Sequence, residues 1–476
     1  MVRQAMDWGM DVDGCYQAVA ARDRRFEGRF VVAVTSTRVY CRPGCPAPIP
    51  RQKNTRFYPC AAAAEEAGFR ACMRCRPDAS PGSPAWLGTS ATVQRALKLI
   101  AEGQLEGGVE QLADRLGVGA RHLRRLFAAQ VGASPNAIAR TRRAHFARKL
   151  IDETALPMTE VAACAGYASL RRFNDDIRDL FRRPPRELRS AHRVAEPGDA
   201  LTLRLPWKPP YDWAALIGFL GQRAITGVER VEPSFYQRTV RVGEHTGTIE
   251  VRPLDGQPAL SLTLRLPIER DLLGIVERVS ALFDLRADPL AIAAHLGRDR
   301  KLAPLVAARP GLRVPGAWDA FELMVRAILG QQISVARASV LTGNLAARFG
   351  TPIAHATPGL THLFPTPAEL ADADVASLGM PRARANAIRT LAASMAVRPL
   401  ESEEELLTLP GIGPWTAAYV AMRAFGAPDA FPAADLGLRK ALARGAKLPS
   451  AREVERRSHA WRPFRAYAAM HLWRSL

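Results

Sequence analysis

The sequence has few cysteines for its length and no long apolar run. Seven cysteines are spread over 476 residues, and none lies beyond Cys164. This usage does not fit an exported protein built on disulfides, and it excludes a cysteine-ligated iron–sulfur cluster from the remainder of the chain. No apolar stretch approaches a membrane span, and the first ten residues lack the apolar core of a signal peptide. We therefore expect a cytoplasmic protein with no membrane partner.

Acidic residues are also scarce relative to basic ones. Lys and Arg together number 66, Asp and Glu number 46, and the net charge is +20, with the excess spread along the whole chain. Such an excess favours a polyanionic partner, although a generally basic, solvated surface is the alternative. A chain of 476 residues exceeds one ordinary hydrophobic core, so we expect at least three domains.

Five of the seven cysteines lie between residues 38 and 78. Four of them form two close pairs, Cys41-x3-Cys45 and Cys72-x2-Cys75. A pair of this spacing lets two thiolates of one tight turn reach a single tetrahedral ion. The alternative is a pair of redox or disulfide motifs. We predict a zinc site with four cysteine ligands, and we expect the fifth residue, Cys60, to be a small buried hydrophobe.

Eight Arg and Lys residues lie between residues 38 and 76, and such a cluster suits phosphate. A zinc-bound thiolate is also a nucleophile, and alkylated DNA offers an electrophile in the methyl group of a methylated phosphate. The segments FVVAVTSTRVYCRPGC, TRFYPC and GFRACMRCRPD resemble the amino-terminal domain of the Ada family of bacterial alkylation-response proteins. The resemblance implies that Cys41 takes up the methyl group irreversibly and that Cys45, Cys72 and Cys75 are the other zinc ligands.

From residue 90 the apolar residues follow a helical period, and the pattern occurs twice. The first copy turns at Gly117-Val118-Gly119, and the second, MTEVAACAGYASLRRFNDDIRDLF, turns at Gly166. The two units, closed by FRRPPRELR, resemble the AraC-type DNA-binding domain, in which each unit offers one helix to the major groove. An arginine-rich helix face is otherwise often only solvated. The resemblance implies DNA contacts by Arg121, Arg124, Arg171 and Arg172. We expect His145 and His192 to be surface residues.

Residues 201–267 alternate apolar and polar side chains over short runs. This pattern predicts an antiparallel sheet, flanked by helices near 211–223 and 269–283. Acids, thiols and histidines form no cluster in this region, so we interpret it as a structural domain. From Trp318 onward the pattern is helical.

A glycine-rich turn and an isolated acid stand out in the helical region. The turn is Leu409-Pro410-Gly411-Ile412-Gly413, and Asp435 follows 22 residues after its last glycine. Bare backbone N–H groups at Gly411 and Gly413 can approach a phosphate closely, although an ordinary turn between packed helices has the same appearance. Asp435 also suits a helix N-cap, and the two roles are compatible.

The turn resembles the helix-hairpin-helix of base-excision DNA glycosylases. Longer segments, including YDWAALIGFLGQRAITGVERVE, FELMVRAILGQQISVA, LPGIGPWTAAY and WRPFRAYAAMHLW, resemble the AlkA family of inducible 3-methyladenine DNA glycosylases from about residue 203 to the end. The resemblance implies that Asp435 is the catalytic carboxylate, and that Gln332 replaces a leucine that fills the gap in the duplex. It places aromatic side chains around the flipped base at Trp415, Tyr419 and Trp473, for which core packing is the alternative.

Two departures from related motifs narrow the predicted activity. Trp415 occupies the position at which strand-cleaving relatives carry a lysine, so no Schiff base can form and the glycosylase should be monofunctional. At the position of the AlkA family's second aspartate, this chain has Ala434. In addition, the chain has no Pro-Cys-His-Arg run, so repair of O6-alkylguanine is not predicted.

The combined prediction is a zinc-dependent alkylation-response protein that acts on alkylated DNA and on promoter DNA. It would accept methyl groups from DNA methylphosphotriesters to activate transcription with RNA polymerase, and it would excise alkylated purines, as a monomer. One alternative is a regulator whose glycosylase-like half only binds damaged DNA. Another is a glycosylase whose zinc domain only docks on DNA.

We predict a multidomain α+β chain with four domains. In chain order these are a small zinc-binding α/β domain (1–82), an AraC-type helical DNA-binding domain (86–194), a domain of antiparallel sheet plus helices (201–298) and an all-α helix-hairpin-helix glycosylase domain (299–476).

Overall fold

A computed structural model describes residues 11–23, 26–72, 74–75, 77, 91–101, 103, 105, 107–189, 200–267, 272–353, 357–443 and 447–476. The chain divides into two compact units. The first comprises Met1–Trp207 with Ile268–Glu277, and the second comprises Lys208–Pro267 with Arg278–Leu476. The segments 79–88 and 191–200, which contain the predicted boundaries between the first three domains, fall almost wholly outside the described residues, as does His192.

A small α/β domain lies at the start of the first unit, as predicted, and its described residues form a four-stranded sheet and two α-helices. Its elements are α1 (Val12–Ala20), β1 (Val31–Val34), β2 (Val39–Cys41), β3 (Thr55–Tyr58), α2 (Ala61–Glu66) and β4 (Arg70–Ala71). The strand order is β3-β1-β2-β4, in which β1 is antiparallel to both neighbours and β4 is parallel to β2. Because parallel neighbours end at the same edge of a sheet, the residues that follow β2 and β4 lie close together.

Within the described part of the first unit, seven α-helices follow. They are α3 (Ala91–Ala101), α4 (Gly108–Arg115), α5 (Ala120–Gln130), α6 (Pro135–Glu153), α7 (Met158–Cys164), α8 (Leu170–Phe181) and α9 (Pro185–Leu188). The apolar positions of the predicted helical period, among them Val93, Leu112 and Phe127, are buried in a shared core. Gly117 and Gly166 have φ of +69° and +78°, the left-handed region that favours glycine, at the α4–α5 and α7–α8 turns. The two predicted helix-turn-helix units are therefore present.

The helix α2 packs against the helical part of the first unit through polar as well as apolar contacts. The Glu65 carboxylate accepts a hydrogen bond from the Tyr40 hydroxyl at 2.7 Å, lies 3.1 Å from His145 Nε2 and also accepts from Thr141. Burial alone would raise the pKa of Glu65, but the hydrogen bond and charge of His145 hold it below its ordinary value. The prediction that His145 is a surface residue was wrong. Its partner, Glu65, is 80 residues away in the sequence, so no local pattern indicates the contact. Cys60 is half-buried at the same junction, with Sγ 3.6 Å from the Val131 carbonyl.

The second unit contains an antiparallel sheet in the predicted region. Its strands β6 (Glu229–Glu232), β7 (Phe235–Val242), β8 (His245–Pro253) and β9 (Ala259–Arg265) pair in succession. The helix α10 (Trp213–Gly221) of this unit also lies where the sequence predicted it, as do β5 (Leu201–Pro206), which belongs to the first unit, and α11 (Leu272–Leu282), whose residues are divided between the units. The buried Arg238 of β7 donates to the Glu322 carboxylate at 2.6 Å, and this buried pair joins the sheet to the helical part of the unit.

The helices that complete the second unit are α12 (Pro289–Leu296), α13 (Leu302–Ala308), α14 (Ala320–Leu329), α15 (Val335–Phe349), α16 (Pro367–Ala371), α17 (Arg382–Val397), α18 (Glu403–Leu407), α19 (Pro414–Arg423), α20 (Leu436–Ala441), α21 (Ala451–Ser458) and α22 (Arg465–Trp473). The helices α14, α17 and α19 share one core that includes Ile328, Leu391 and Val420. The helices α12 and α13 were not predicted from the sequence. They have eight and seven residues respectively, which are too few to show a clear helical period. Among the described helices, none has the length and apolar character that crossing a membrane requires.

Candidate functional site

The four predicted zinc ligands come together at one edge of the first sheet. Cys41 ends β2, Cys72 directly follows its parallel neighbour β4, and the Cys72 N–H donates to the Tyr40 carbonyl at 3.0 Å. Cys45 and Cys75 follow one short turn later on each side. The four Sγ atoms all lie within 4.8 Å of one another, and all four residues are buried.

This cluster fits a zinc ion. Zn–S bonds of about 2.3 Å in a tetrahedron put the sulfurs about 3.8 Å apart, which is compatible with four Sγ atoms that all lie within 4.8 Å of one another. Four thiolates this close together would repel one another strongly, so the site needs a cation when its sulfurs are ionised. The Ala47 N–H lies 3.4 Å from Cys45 Sγ and donates to it, a contact of the kind that supports a metal-bound thiolate.

The second cluster is built around Asp435. Its side chain caps α20, because Oδ1 accepts from the Leu438 N–H at 2.9 Å. Two indole N–H groups donate to the same carboxylate, Trp473 to Oδ1 at 2.8 Å and Trp415 to Oδ2 at 2.9 Å. Within the described part of the chain, no Lys, Arg or His nitrogen forms an ion pair with it. Asp435 is thus an N-cap and also a half-buried carboxylate held by neutral donors.

The three predicted aromatic residues lie beside this carboxylate. Trp415 and Tyr419 are stacked, with ring centroids 5.3 Å apart and planes 7° apart. Trp473 meets Tyr419 at 6.4 Å and 60°. All three are half-buried, so they form a wall that is partly open instead of a closed core.

The glycine turn joins α18 and α19 as a hairpin. Gly411 has φ of +80°, and a Cβ there would lie 2.7 Å from the Cβ of Ala387 on α17, so only glycine fits. Gly413 is the N-cap of α19, with Pro414 at the first helical position. Both glycines are exposed, which leaves the N-terminal N–H groups of α19 open to an anion.

Gln332 lies in the turn between α14 and α15. It is exposed, and its φ of +60° places a non-glycine residue in the left-handed region.

The four predicted DNA-contacting arginines are exposed on α5 and α8. On α5, Arg124 forms an ion pair with Glu110. On α8, the Arg171 side chain is 94% exposed, and its Nε is 4.0 Å from the Asp175 carboxylate, so it is open to a ligand.

Four family profiles match successive parts of the chain. They are the metal binding domain of Ada (residues 14–78), a helix-turn-helix domain (112–191), the AlkA N-terminal domain (202–319) and the HhH-GPD superfamily base excision DNA repair protein (325–464). The zinc-binding prediction is therefore confirmed at the level of the domain and its four cysteines.

A relative spans the whole chain. The probable bifunctional transcriptional activator/DNA repair enzyme AlkA of Mycobacterium tuberculosis is 43% identical over 482 aligned residues, which cover 98% of this chain and 97% of that protein. The chain belongs to this bifunctional family. The four matched profiles join a metal binding domain of Ada and a helix-turn-helix domain to the AlkA N-terminal and HhH-GPD domains in this chain, so the predicted fusion is confirmed.

Two further relatives match the glycosylase part of this bifunctional family member. DNA-3-methyladenine glycosylase 2 of Escherichia coli is 38% identical, over 56% of this chain and 95% of that enzyme. The solved structure of the 3-methyladenine DNA glycosylase from Archaeoglobus fulgidus covers 57% of this chain and 96% of its own, with a TM-score of 0.50 and 23% identity. That likeness shows a shared fold.

Arg423, which was not predicted from the sequence, hydrogen-bonds to one residue of the aromatic wall, Tyr419. This buried guanidinium donates to the Tyr419 hydroxyl at 2.7 Å and to the carbonyls of Pro315 and Gly316 at 2.8 and 2.9 Å. Burial alone would raise the pKa of Tyr419, but Arg423 and Arg223 hold it below its ordinary value. Arg423 is four residues after Tyr419 on α19, and this i,i+4 spacing is the signal that could have revealed it.

Gly437 is a second missed residue, and it carries a prediction. A Cβ at this position would lie 2.9 Å from Asp435 Oδ1 and 3.2 Å from Trp473 Cδ1. Alanine is a better helix former than glycine by about 1 kcal/mol, so Gly437→Ala should leave the protein folded while displacing the carboxylate. We expect base release to fall by roughly tenfold or more, since small displacements at a reacting centre are costly.

Single-turnover release of methylated base, together with thermal unfolding, measures this effect. Gly218→Ala on α10 is the matched control for a new methyl group in a helix, because a Cβ there meets nothing within 4 Å. If Gly437→Ala released base at the wild-type rate, the carboxylate would not need its observed position.

Proposed function

We propose that this protein has two activities directed at alkylated DNA. Its carboxyl half hydrolyses the N-glycosidic bond of alkylated purines such as 3-methyladenine and 7-methylguanine, and its zinc domain accepts one methyl group from a DNA methylphosphotriester. The observation that carries the first activity is the Asp435 carboxylate beside an aromatic wall and near an open glycine hairpin. We retain 1–82, 86–194, 201–298 and 299–476 as the domain boundaries.

The chemistry of the damaged base makes a single carboxylate sufficient. Alkylation at a ring nitrogen makes the purine cationic and therefore a good leaving group, so little general-acid help is needed. Asp435 stabilises the positive charge that develops on the sugar and orients or deprotonates the attacking water. Trp415, Tyr419 and Trp473 stack on the flipped base and favour its cationic form through their ring faces.

The N–H groups at the Gly411 and Gly413 hairpin bind the backbone phosphate beside the flipped nucleotide, and Gln332 fills the gap left in the duplex. Trp415 stands where a strand-cleaving relative would need an amine. The glycosylase is therefore monofunctional, and it leaves an abasic site without cutting the strand.

The second activity belongs to Cys41. The sulfur attacks the methyl carbon of the phosphotriester, the carbon–oxygen bond breaks, and its electron pair returns to the phosphate as a diester. Cys41, Cys45, Cys72 and Cys75 would hold a zinc ion, which would keep the Cys41 sulfur as a thiolate at neutral pH. Methyl uptake removes one negative charge from the site, which weakens repulsion from DNA phosphates and links repair to promoter binding.

A single assay with the full-length protein tests both activities. DNA that carries methylphosphotriesters and methylated purines is incubated with the zinc-loaded protein, and both free base and protein mass are measured. We expect released 3-methyladenine and a mass gain of one methyl group. A mass gain without base release would favour a regulator that only binds damage, and base release without a mass gain would make the zinc domain a docking module. Strand cleavage would contradict the monofunctional assignment.

The helix-turn-helix units bind promoter DNA as part of this function, with RNA polymerase as the partner of the activated, monomeric protein. Arg171 gives a sharp test because its side chain is 94% exposed at the start of α8. Arg171→Ala should weaken promoter binding, and Arg171→Lys distinguishes two kinds of contact. Lysine preserves a phosphate contact, but it cannot reproduce a bidentate contact to guanine, worth about 1–3 kcal/mol.

Salt-dependent binding to a promoter and to scrambled DNA gives the readout. If Arg171 binds a phosphate, the Ala variant should lower the salt slope by about one unit on both DNAs. If Arg171 reads a base, the Ala variant should instead reduce specificity at one position of the promoter. Unchanged binding in Arg171→Ala, and equally in the Arg121, Arg124 and Arg172 alanine variants, would show that these helices are not the recognition helices.

A further inference from the structure

The Gln331 side chain connects the turn between α14 and α15 to the glycine hairpin by hydrogen bonds. Its Nε2 donates to the Gly411 carbonyl at 3.0 Å and to Thr416 Oγ1 at 3.2 Å. A backbone carbonyl can only accept, so the amide nitrogen must face the hairpin. Both amide hydrogens of Gln331 are therefore used by residues of the hairpin.

The backbone of Gln331 is held from a third element, α17. Arg384 Nη2 donates to the Gln331 carbonyl at 2.6 Å. One turn later on the same helix, Ala387 is the residue against which Gly411 packs so closely that no side chain fits. The helix α17 thus fixes both the turn and the hairpin.

We call the contacts of Gln331 with the glycine hairpin and with Arg384 the brace. Gln332 directly follows Gln331 and has the left-handed φ of +60°. A non-glycine residue keeps such a conformation only when its surroundings impose it. The restraints are on the residue before it, because Gln331 is fixed through its side chain and through its carbonyl. The next helix restrains the other side, where Ser334 caps α15 by accepting from the Arg337 N–H at 3.3 Å.

We propose that Gln331 and Arg384 are positioning residues for base flipping, which lock the gap-filling Gln332 to the hairpin that grips the phosphate. The inference rests on the proposed function, because it needs Gln332 and the hairpin to act on the same nucleotide. Neither Gln331 nor Arg384 contacts the reacting atoms. Their effect is to set the distance between two groups that must engage the duplex together.

The brace matters most when flipping is costly. In a fully paired duplex the enzyme must unstack and unpair the damaged base, and a gap-filling residue at a fixed distance from the phosphate grip offsets this cost. When the lesion is already unpaired, the cost is small and so is the benefit of the brace. A residue with a purely structural role would affect both substrates equally.

The experiment compares Gln331→Leu, which keeps the side-chain size but removes the amide, with wild type on two 7-methylguanine duplexes. One duplex pairs the lesion with cytosine, and the other places it opposite an abasic analogue. We expect kcat/KM to fall about tenfold on the paired duplex and less than about threefold on the unpaired one. A 2-aminopurine beside the lesion should show less unstacking by the variant on the paired duplex.

Three further variants test the mechanism. Arg384→Ala should reproduce the substrate-dependent loss, whereas Arg384→Lys, which can still donate to the Gln331 carbonyl, should retain most of the activity. In the Gln331→Leu background, Gln332→Asn should recover part of the loss, because asparagine accepts the left-handed conformation more readily.

Equal losses of kcat/KM on the two duplexes, or no loss on either, would contradict the proposed role of Gln331 and Arg384. A wild-type protein that releases no base from either duplex would instead refute the proposed function, and the brace with it. Thermal unfolding of each variant identifies any general loss of stability, which would appear on both substrates.

Discussion

Asp435→Asn is expected to abolish the release of methylated purines while leaving damaged duplex bound. The change removes the one negative charge that stabilises the developing positive charge on the sugar. Losses of single electrostatic or acid–base groups in active sites reduce kcat by about 10²–10⁴-fold, and we expect an effect in the upper part of that range. Single-turnover base release and binding to the same duplex measure the two properties separately.

The hydrogen bonds of Asp435 make this substitution more than a change of charge. Both carboxylate oxygens accept from indole N–H groups, and Oδ1 also accepts from the Leu438 N–H. An asparagine has only one acceptor oxygen, so its NH₂ group must face the indole N–H of Trp415 or Trp473. We therefore expect a modest loss of stability in addition to the loss of activity, because at least one half-buried indole N–H loses its acceptor.

A matched control separates these effects. Asp319 caps α14 by accepting from the Glu322 N–H at 2.9 Å, and it is exposed. Asp319→Asn makes the same chemical change at an N-cap of the same unit, and it should release base at nearly the wild-type rate. Should Asp435→Asn also release 3-methyladenine at the wild-type rate, the carboxylate would have no part in the chemistry and the catalytic group would lie elsewhere.

The zinc ligands could be predicted from short-range signals in the sequence, whereas the proposed role of Asp435 came from the resemblance to a glycosylase family. Pairs of cysteines three or four residues apart are visible without a fold, and so are the period of the helix-turn-helix units and the alternation of β6 to β9. The conclusion that both pairs meet at one edge needed the parallel pairing of β2 with β4, since residues 45 and 72 are far apart in the chain.

The partners of the functional groups were mostly out of reach of sequence reasoning. Asp435 is held by indoles 20 and 38 residues away, and the Arg238–Glu322 pair spans 84 residues. Such contacts depend on how helices and strands pack, and no local pattern encodes them. The same limit explains the error at His145, which looks isolated in the sequence but has a side chain only 11% exposed that contacts Glu65. For the same reason, the sequence did not indicate a role for Gln331, the residue next to Gln332.

Cys41→Ser is expected to eliminate methyl uptake completely, from one methyl group per chain to none. A serine hydroxyl is not ionised at neutral pH and is a poor ligand for zinc, so both the nucleophile and one metal bond are lost. Intact-protein mass spectrometry after exposure to methylphosphotriester DNA measures the uptake. Base release should continue in this variant, because the glycosylase cluster lies in a different part of the chain.

Exposure does not single out the nucleophile, since the four ligand cysteines are between 3% and 9% exposed. The experiment therefore needs a control outside the ligand set and a map of the modified residue. Cys60→Ser supplies the control, because Cys60 bonds toward Val131 and burial raises its pKa to about 12, which makes it a poor nucleophile. Cys60→Ser should gain one methyl group as the wild type does. In the wild type, peptide mapping should find the methyl on Cys41; a methyl on Cys45, Cys72 or Cys75 would move the reaction to a different sulfur of the same zinc site.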